Sequence, residues 1–238
     1  MKALMEQSAG VFRGRDLARR QKASRIERLS SELPHLDELL GGGFPRGAMV
    51  ELIGGPSSGR STLALRVLAR AAAQDELTAY VDAFDALDPL AAQACGVDLE
   101  KLLWVRCASA AASRSMARAF KAADMVARGG GFGALVLDLD RPSAPPGESG
   151  LTAPCKTFFR LQKAVERTPL LMLVLNRRGL AGSAASLALS LRRASTDWGL
   201  EAGAPHPCVL RGAVDEIEVM KGRSYGSTTL HCGLCDAS

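Results

Sequence analysis

Ile53-Gly54-Gly55-Pro56-Ser57-Ser58-Gly59-Arg60-Ser61-Thr62 reads as a phosphate-binding loop in which an arginine stands where the motif wants a lysine. The motif asks for Gly, four residues, Gly, Lys, then Ser or Thr. Backbone N–H groups then surround the phosphates, the lysine reaches them and the hydroxyl ligates magnesium. Gly54, Gly59 and Ser61 satisfy it, and Arg60 does not. A guanidinium keeps the positive charge but is a planar fork rather than a compact ammonium, so it cannot take the same tight place over the phosphates. Phosphate binding is expected to survive that change better than hydrolysis. Gly54, Gly55, Pro56, Ser57, Ser58, Gly59, Arg60, Ser61 and Thr62 are thus candidate nucleotide contacts, with Ser61 the candidate magnesium ligand.

The flanks supply the context this motif needs, an apolar strand before it (Met49–Ile53) and a helical pattern after it (Ser61–Ala73). Further apolar runs at Thr78–Val81, Leu102–Val105, Ala134–Leu139 and Leu170–Leu175 are mostly continuous, as in strands buried on both faces. Helical patterns at Pro89–Cys95, Ser113–Arg128 and Cys155–Val165 alternate with them, so the expectation is an α/β fold with a mostly parallel central sheet flanked by helices. Cys208–Leu210, Glu216–Met220 and Thr228–His231, with turns at Arg211-Gly212 and Lys221-Gly222, read as an antiparallel extension of one sheet edge. Asp138 ends an apolar run and is the second candidate magnesium ligand, with Asp140 competing for that role. A glycine-rich strand-to-helix turn also forms without any ligand, which is the plainer reading of the loop.

The 238 residues suit one α/β domain and a short extension, and 47% hydrophobic content supplies a core without metal or disulfide. The six cysteines are scattered, which suits a reducing cytoplasm, and no apolar run approaches the ~18 residues of a membrane span. His231-Cys232-Gly-Leu-Cys235 is only half of a tetrahedral site, so no zinc is expected. Residues 1–30 hold eight basic and three acidic side chains, a surplus equal to the whole net charge of +5. Val11–Leu29 reads as a basic helix, with Arg13, Arg15, Arg19, Arg20 and Lys22 as candidate contacts to DNA or a partner, or else as a solvated face. The expected division is a basic helical extension over 1–32 and a core over 33–235.

Leu36-Asp37-Glu38-Leu39-Leu40-Gly41-Gly42-Gly43-Phe44-Pro45-Arg46-Gly47, the phosphate loop, Tyr80-Val-Asp-Ala-Phe-Asp-Ala-Leu-Asp-Pro89 and Gly96-Val-Asp-Leu-Glu-Lys-Leu-Leu103 together resemble the bacterial recombinase RecA. The resemblance implies a RecA-type ATPase core over about residues 33 to 231, with ATP and magnesium as cofactors and Asp88 added to the nucleotide site. It also implies a glutamate that activates water two residues after Asp82, where this chain has Phe84, which cannot serve as a general base. A tyrosine that stacks on adenine is replaced by Ala91, and the family's glutamine sensor after Asn176 by Arg177. The family's first DNA loop falls on Asp140–Pro154. Its second is flanked here by Arg177, Arg178, Arg192 and Arg193, candidate phosphate contacts, although Ala184–Leu191 reads better as an alanine-leucine helix packed on the sheet.

A RecA-like core with these losses and no counterpart of RecA's C-terminal domain is similar to the ImuA family, accessory proteins of SOS mutagenesis and translesion synthesis in bacterial DNA damage repair. That resemblance implies a non-catalytic, cytoplasmic, nucleoid-associated adaptor. Its partners would be an ImuB-like polymerase-family protein, an error-prone DNA polymerase and RecA, with weak DNA binding of its own. The rival is an ATP-dependent recombinase paralogue with slow DNA-stimulated turnover, in which Asp85 takes over the water.

Overall fold

The computed structural model describes residues 27–141, 155–199, 209–222 and 229–233. In chain order the strands are β1 (Arg28–Leu29), β2 (Phe44–Pro45), β3 (Met49–Ile53), β4 (Leu77–Asp82), β5 (Leu102–Arg106), β6 (Phe132–Asp138), β7 (Leu171–Asn176), β8 (Leu187–Gly199), β9 (Val209–Lys221) and β10 (Thr229–Gly233). The helices are α1 (Pro34–Leu40), α2 (Arg60–Ala73), α3 (Pro89–Ala94), α4 (Ala112–Gly129) and α5 (Cys155–Val165). The main sheet has eight strands in the order β10-β9-β8-β3-β7-β6-β4-β5. Pairing is parallel from β8 through to β5, while β9 and β10 run antiparallel at the other end. The expected α/β architecture with an antiparallel extension is the one observed.

The apolar strands are continuous because both faces are covered. Val50, Leu52, Tyr80, Val136, Leu171 and Leu173 join one core with α2. Met49, Ala79, Val81, Leu135, Met172 and Val174 join the other with α4 and α5. Alternate residues of a strand point to opposite faces, so a strand between two helical layers has no polar side.

Three expectations are corrected. Residues 187–191 of the expected Ala184–Leu191 helix belong to strand β8, where Leu187, Leu189 and Leu191 are buried at period two and β3 offers a vacant parallel edge. Arg211-Gly212 is not a turn but lies inside β9: Leu210 pairs with Trp198 and Gly212 with Asp197, so Arg211 is the extra residue of a bulge. The expected basic helix does not reach Leu29. Arg28 and Leu29 form a strand paired with Pro45 and Phe44, because Leu29 is wholly buried in the core. Residues 1–26 of that extension lie outside the described residues, as do His206, Cys208, Cys235 and most of the loop from Asp140 to Pro154.

Candidate nucleotide site

The parallel register brings the site together. Asp82 on β4 is level with Asp138 on β6, Asp138 with Leu175 on β7, and Ile53 on β3 with Asn176 on β7. The C-terminal edge of the sheet therefore carries two carboxylates, an amide and the start of the phosphate loop in one row, the position at which open α/β sheets take their ligands.

The loop keeps its shape through backbone constraints. The Gly54 N–H donates to the Asn176 carbonyl at 3.1 Å, and Gly59 (φ 82) and Ser57 (φ 58) take left-handed conformations that turn the chain into α2. A Cβ at Gly54 would run into the Ser58 side chain and the Leu191 carbonyl, so this glycine is required by close approach. Ser61 is exposed and Thr62 half-buried.

Arg60 turns down from the loop into the sheet edge and is only 4% exposed. Its Nη1 donates to the Asn176 carbonyl at 3.3 Å, and its Nη2 pairs with the Asp140 carboxylate. Arg177 Nε donates to the other Asp140 oxygen at 2.6 Å, and Arg177 Nη2 to the Arg141 carbonyl at 2.9 Å. Asp140 is thus held between two guanidinium groups. Arg60 Nε and Ser58 Oγ are buried and have no hydrogen-bond partner.

Asp138 is likewise engaged. Its Oδ2 accepts from the Tyr80 hydroxyl at 2.6 Å and its Oδ1 from the Asp140 N–H at 2.9 Å. Burial raises its carboxyl to about 6 even though both hydrogen bonds favour the charged form, and burial raises the Tyr80 hydroxyl as well, helped by Asp138 beside it.

Asp82 is fully buried, and its oxygens accept the N–H groups of Phe84, Ala86 and Leu87 at 3.0–3.2 Å and the Trp104 indole at 3.3 Å. It shapes the turn in which the resemblance places a catalytic glutamate. Phe84 packs on the core beneath α4 and α5, and Asp85 is taken by Arg106 on β5 through bonds of 3.0 and 2.9 Å. Asp88 caps α3, accepting the Leu90 N–H at 2.9 Å. Among the candidate phosphate contacts, Arg192 and Arg193 on β8 pair with Glu216 and Asp215 on β9, and Arg178 is exposed.

Two site residues escaped the sequence reading. Glu51, in the middle of the buried strand β3, accepts bonds from Asn176 and from the N–H groups of Leu180 and Ala181, tying down the start of the second loop. A lone carboxylate inside Met-Val-Glu-Leu-Ile was the available signal, since a buried charge needs partners. Tyr80 carried a fainter one, a single polar tip in an apolar strand.

A family description, the RecA N-terminal domain, matches residues 5–146. Protein RecA of Rubrobacter xylanophilus is 40% identical over 117 residues, which is 49% of this chain and 32% of that protein. Protein RecA of Arthrospira platensis is 48% identical over 79 residues, 33% of this chain and 22% of its own length. Protein RecA of Staphylococcus carnosus is 45% identical over 82 residues, 34% and 23%. The matches therefore span about a third or less of these relatives. With the strand-loop-helix geometry and the parallel sheet, the match over more than half of its length places this chain in the RecA N-terminal domain family.

Proposed function

We propose that this chain is a non-catalytic RecA-like accessory protein of DNA-damage-induced mutagenesis, similar to the ImuA family. In that reading it is an adaptor that joins an ImuB-like polymerase-family protein and an error-prone DNA polymerase at damaged DNA, and that contacts RecA. It works in the cytoplasm at the nucleoid, and residues 1–26 serve as a basic arm on a core that takes in β1. The observation that carries the reading is the turn after β4. Phe84 is apolar and packed on the core, and the neighbouring carboxylate of Asp85 is bound in bidentate fashion by Arg106, so neither residue offers a base to an attacking water. Loss of a general base costs about two to four orders of magnitude in rate. Magnesium-nucleotide also fits poorly on Asp138 and Arg60, whose polar groups already bind Tyr80, Asp140 and Asn176.

The test is ATP hydrolysis by the purified protein with and without single-stranded DNA, beside damage-induced mutation frequency in cells. We expect no detectable turnover. A Ser61→Ala variant should restore mutagenesis fully to a strain lacking the protein. The named RecA relatives fit a slow recombinase equally well. DNA-stimulated hydrolysis abolished by Asp138→Asn, together with failure of Ser61→Ala in cells, would establish that reading instead.

A further inference from the structure

We propose that Asp140 is an internal anion that takes up Arg60, the one cation of the phosphate loop, in place of a phosphoryl group and so keeps the loop closed to polyphosphates. The proposal rests on the non-catalytic reading above and adds its physical cause.

Charge and geometry carry it. The one cation of the loop, Arg60, is spent on Asp140 Oδ2, and the arginine after β7, Arg177, is spent on Asp140 Oδ1. One carboxylate thus bridges the loop and the segment that follows β7, eighty residues from Arg60 and thirty-seven from Arg177 in sequence. Carboxylate and phosphate are the two anions whose oxygens match a guanidinium fork, so the same pair of arginines suits either. Asp140 is also held in place from below. Its own N–H donates to Asp138 Oδ1 while Tyr80 holds Asp138 Oδ2, so the acid available for magnesium acts instead as a positioning residue for the internal anion.

A second observation points to a ligand larger than one carboxylate. Ser58 Oγ and Arg60 Nε are buried and unpartnered, and Gly59 opens α2 with no side-chain cap on its first turn. The loop therefore holds more donors than Asp140 satisfies, as expected of a site shaped for several oxyanion oxygens. An external polyphosphate has to displace an anion that is tethered beside the arginines and so present at high effective concentration, and its apparent affinity falls by the fraction of molecules in which Asp140 has swung away.

The experiment is binding of pyrophosphate, and of ATP with magnesium, to the full-length protein by calorimetry and by shift of the melting temperature, for the natural sequence and Asp140→Asn. Asp140→Ser serves as a second variant should the amide fold poorly, and Glu216→Gln, which frees the surface arginine Arg192 in the same way, controls for added charge. The expected result is at least tenfold tighter binding of both probes to Asp140→Asn or Asp140→Ser than to the natural protein, with no gain for Glu216→Gln and no hydrolysis by any of them. Equal affinity of natural and Asp140 variants, or an equal gain from Glu216→Gln, overturns the proposal. Hydrolysis by the natural protein overturns the non-catalytic reading; absence of both hydrolysis and any gain in binding overturns the internal anion alone.

Discussion

Glu51 and Asn176 stand 125 residues apart in the chain and meet in the core, where Asn176 Nδ2 donates to Glu51 Oε1 at 2.8 Å. The same oxygen accepts the N–H groups of Leu180 and Ala181 at 2.6 and 2.9 Å. Removing a buried acceptor strands every donor aimed at it, and each stranded donor costs roughly 1–3 kcal/mol. Glu51→Ala, which strands three donors, should therefore lower stability by at least about 3 kcal/mol in urea unfolding, and Glu51→Gln, which keeps an acceptor oxygen, by less than half as much. Faster hydrogen exchange at Leu180 and Ala181 in the alanine variant would locate the damage. Equal losses from the two variants would show that negative charge, not the acceptor, matters.

Arg46 is the corresponding pin at the opposite end of the sheet. Its guanidinium donates to the carbonyls of Gly133 and Pro169 and to the side chains of Gln74 and Glu76, at 2.9–3.3 Å. Arg46→Ala should cost about 3–5 kcal/mol, as expected when one partner of a buried charged network is removed. Arg46→Lys should recover only part of that, because an ammonium cannot span four acceptors set around a planar fork.

The raised Asp138 carboxyl makes stability depend on pH. Its folded value of about 6 lies above the ~3.9 of an unfolded aspartate, so the native state holds this proton more tightly. The stability that results is fully present below about pH 4 and is lost as pH rises through about 6, to the extent of ~3 kcal/mol. Unfolding curves between pH 4 and 7 should show this fall relative to Asp138→Asn, which lacks the titration. Parallel pH profiles for the two proteins would contradict it.

Any cut that removes the basic arm belongs after residue 26. Leu29 is buried, and Ser31 donates both its N–H and its hydroxyl to Asp37, at 2.8 and 2.7 Å. Deleting residues 1–26 should leave the melting temperature within a few degrees and weaken binding to single-stranded DNA. The salt dependence of that binding should flatten by ~0.7 in slope for each phosphate that the arm neutralises. An unchanged slope would assign the arm to a protein interface or to solvent.

The strands and helices around the loop were legible because a layer sealed between two others leaves a plain signature. Met49–Ile53 and Cys155–Val165 coincide with an apolar run and a helical pattern read from the chain. What failed depended on neighbours. Leu-Ala-Leu-Ser-Leu over 187–191 suits a helix or a strand by content, and the open edge of β3 decides for the strand. A glycine in an otherwise strand-like stretch marks a turn or a bulge, and only the pairing of Gly212 with Asp197 shows which. The loop glycines were read from the motif and Asp138 from the end of an apolar run, and register sets Asp138 level with Asp82. The partners of Arg60 were not: sequence offers Asp138, Asp140 and the Asn176 carbonyl equally, and spacing along a chain carries no information on which of them a side chain reaches.

Asp82 holds its turn through three backbone N–H groups, and none of those bonds depends on which side chains the turn displays. Position 84 is therefore open to drift. A glutamate or a phenylalanine there meets the same three backbone bonds, so chemistry can be erased while the turn keeps its anchor. Inheritance of this shape and inheritance of a reaction are separable at that one residue.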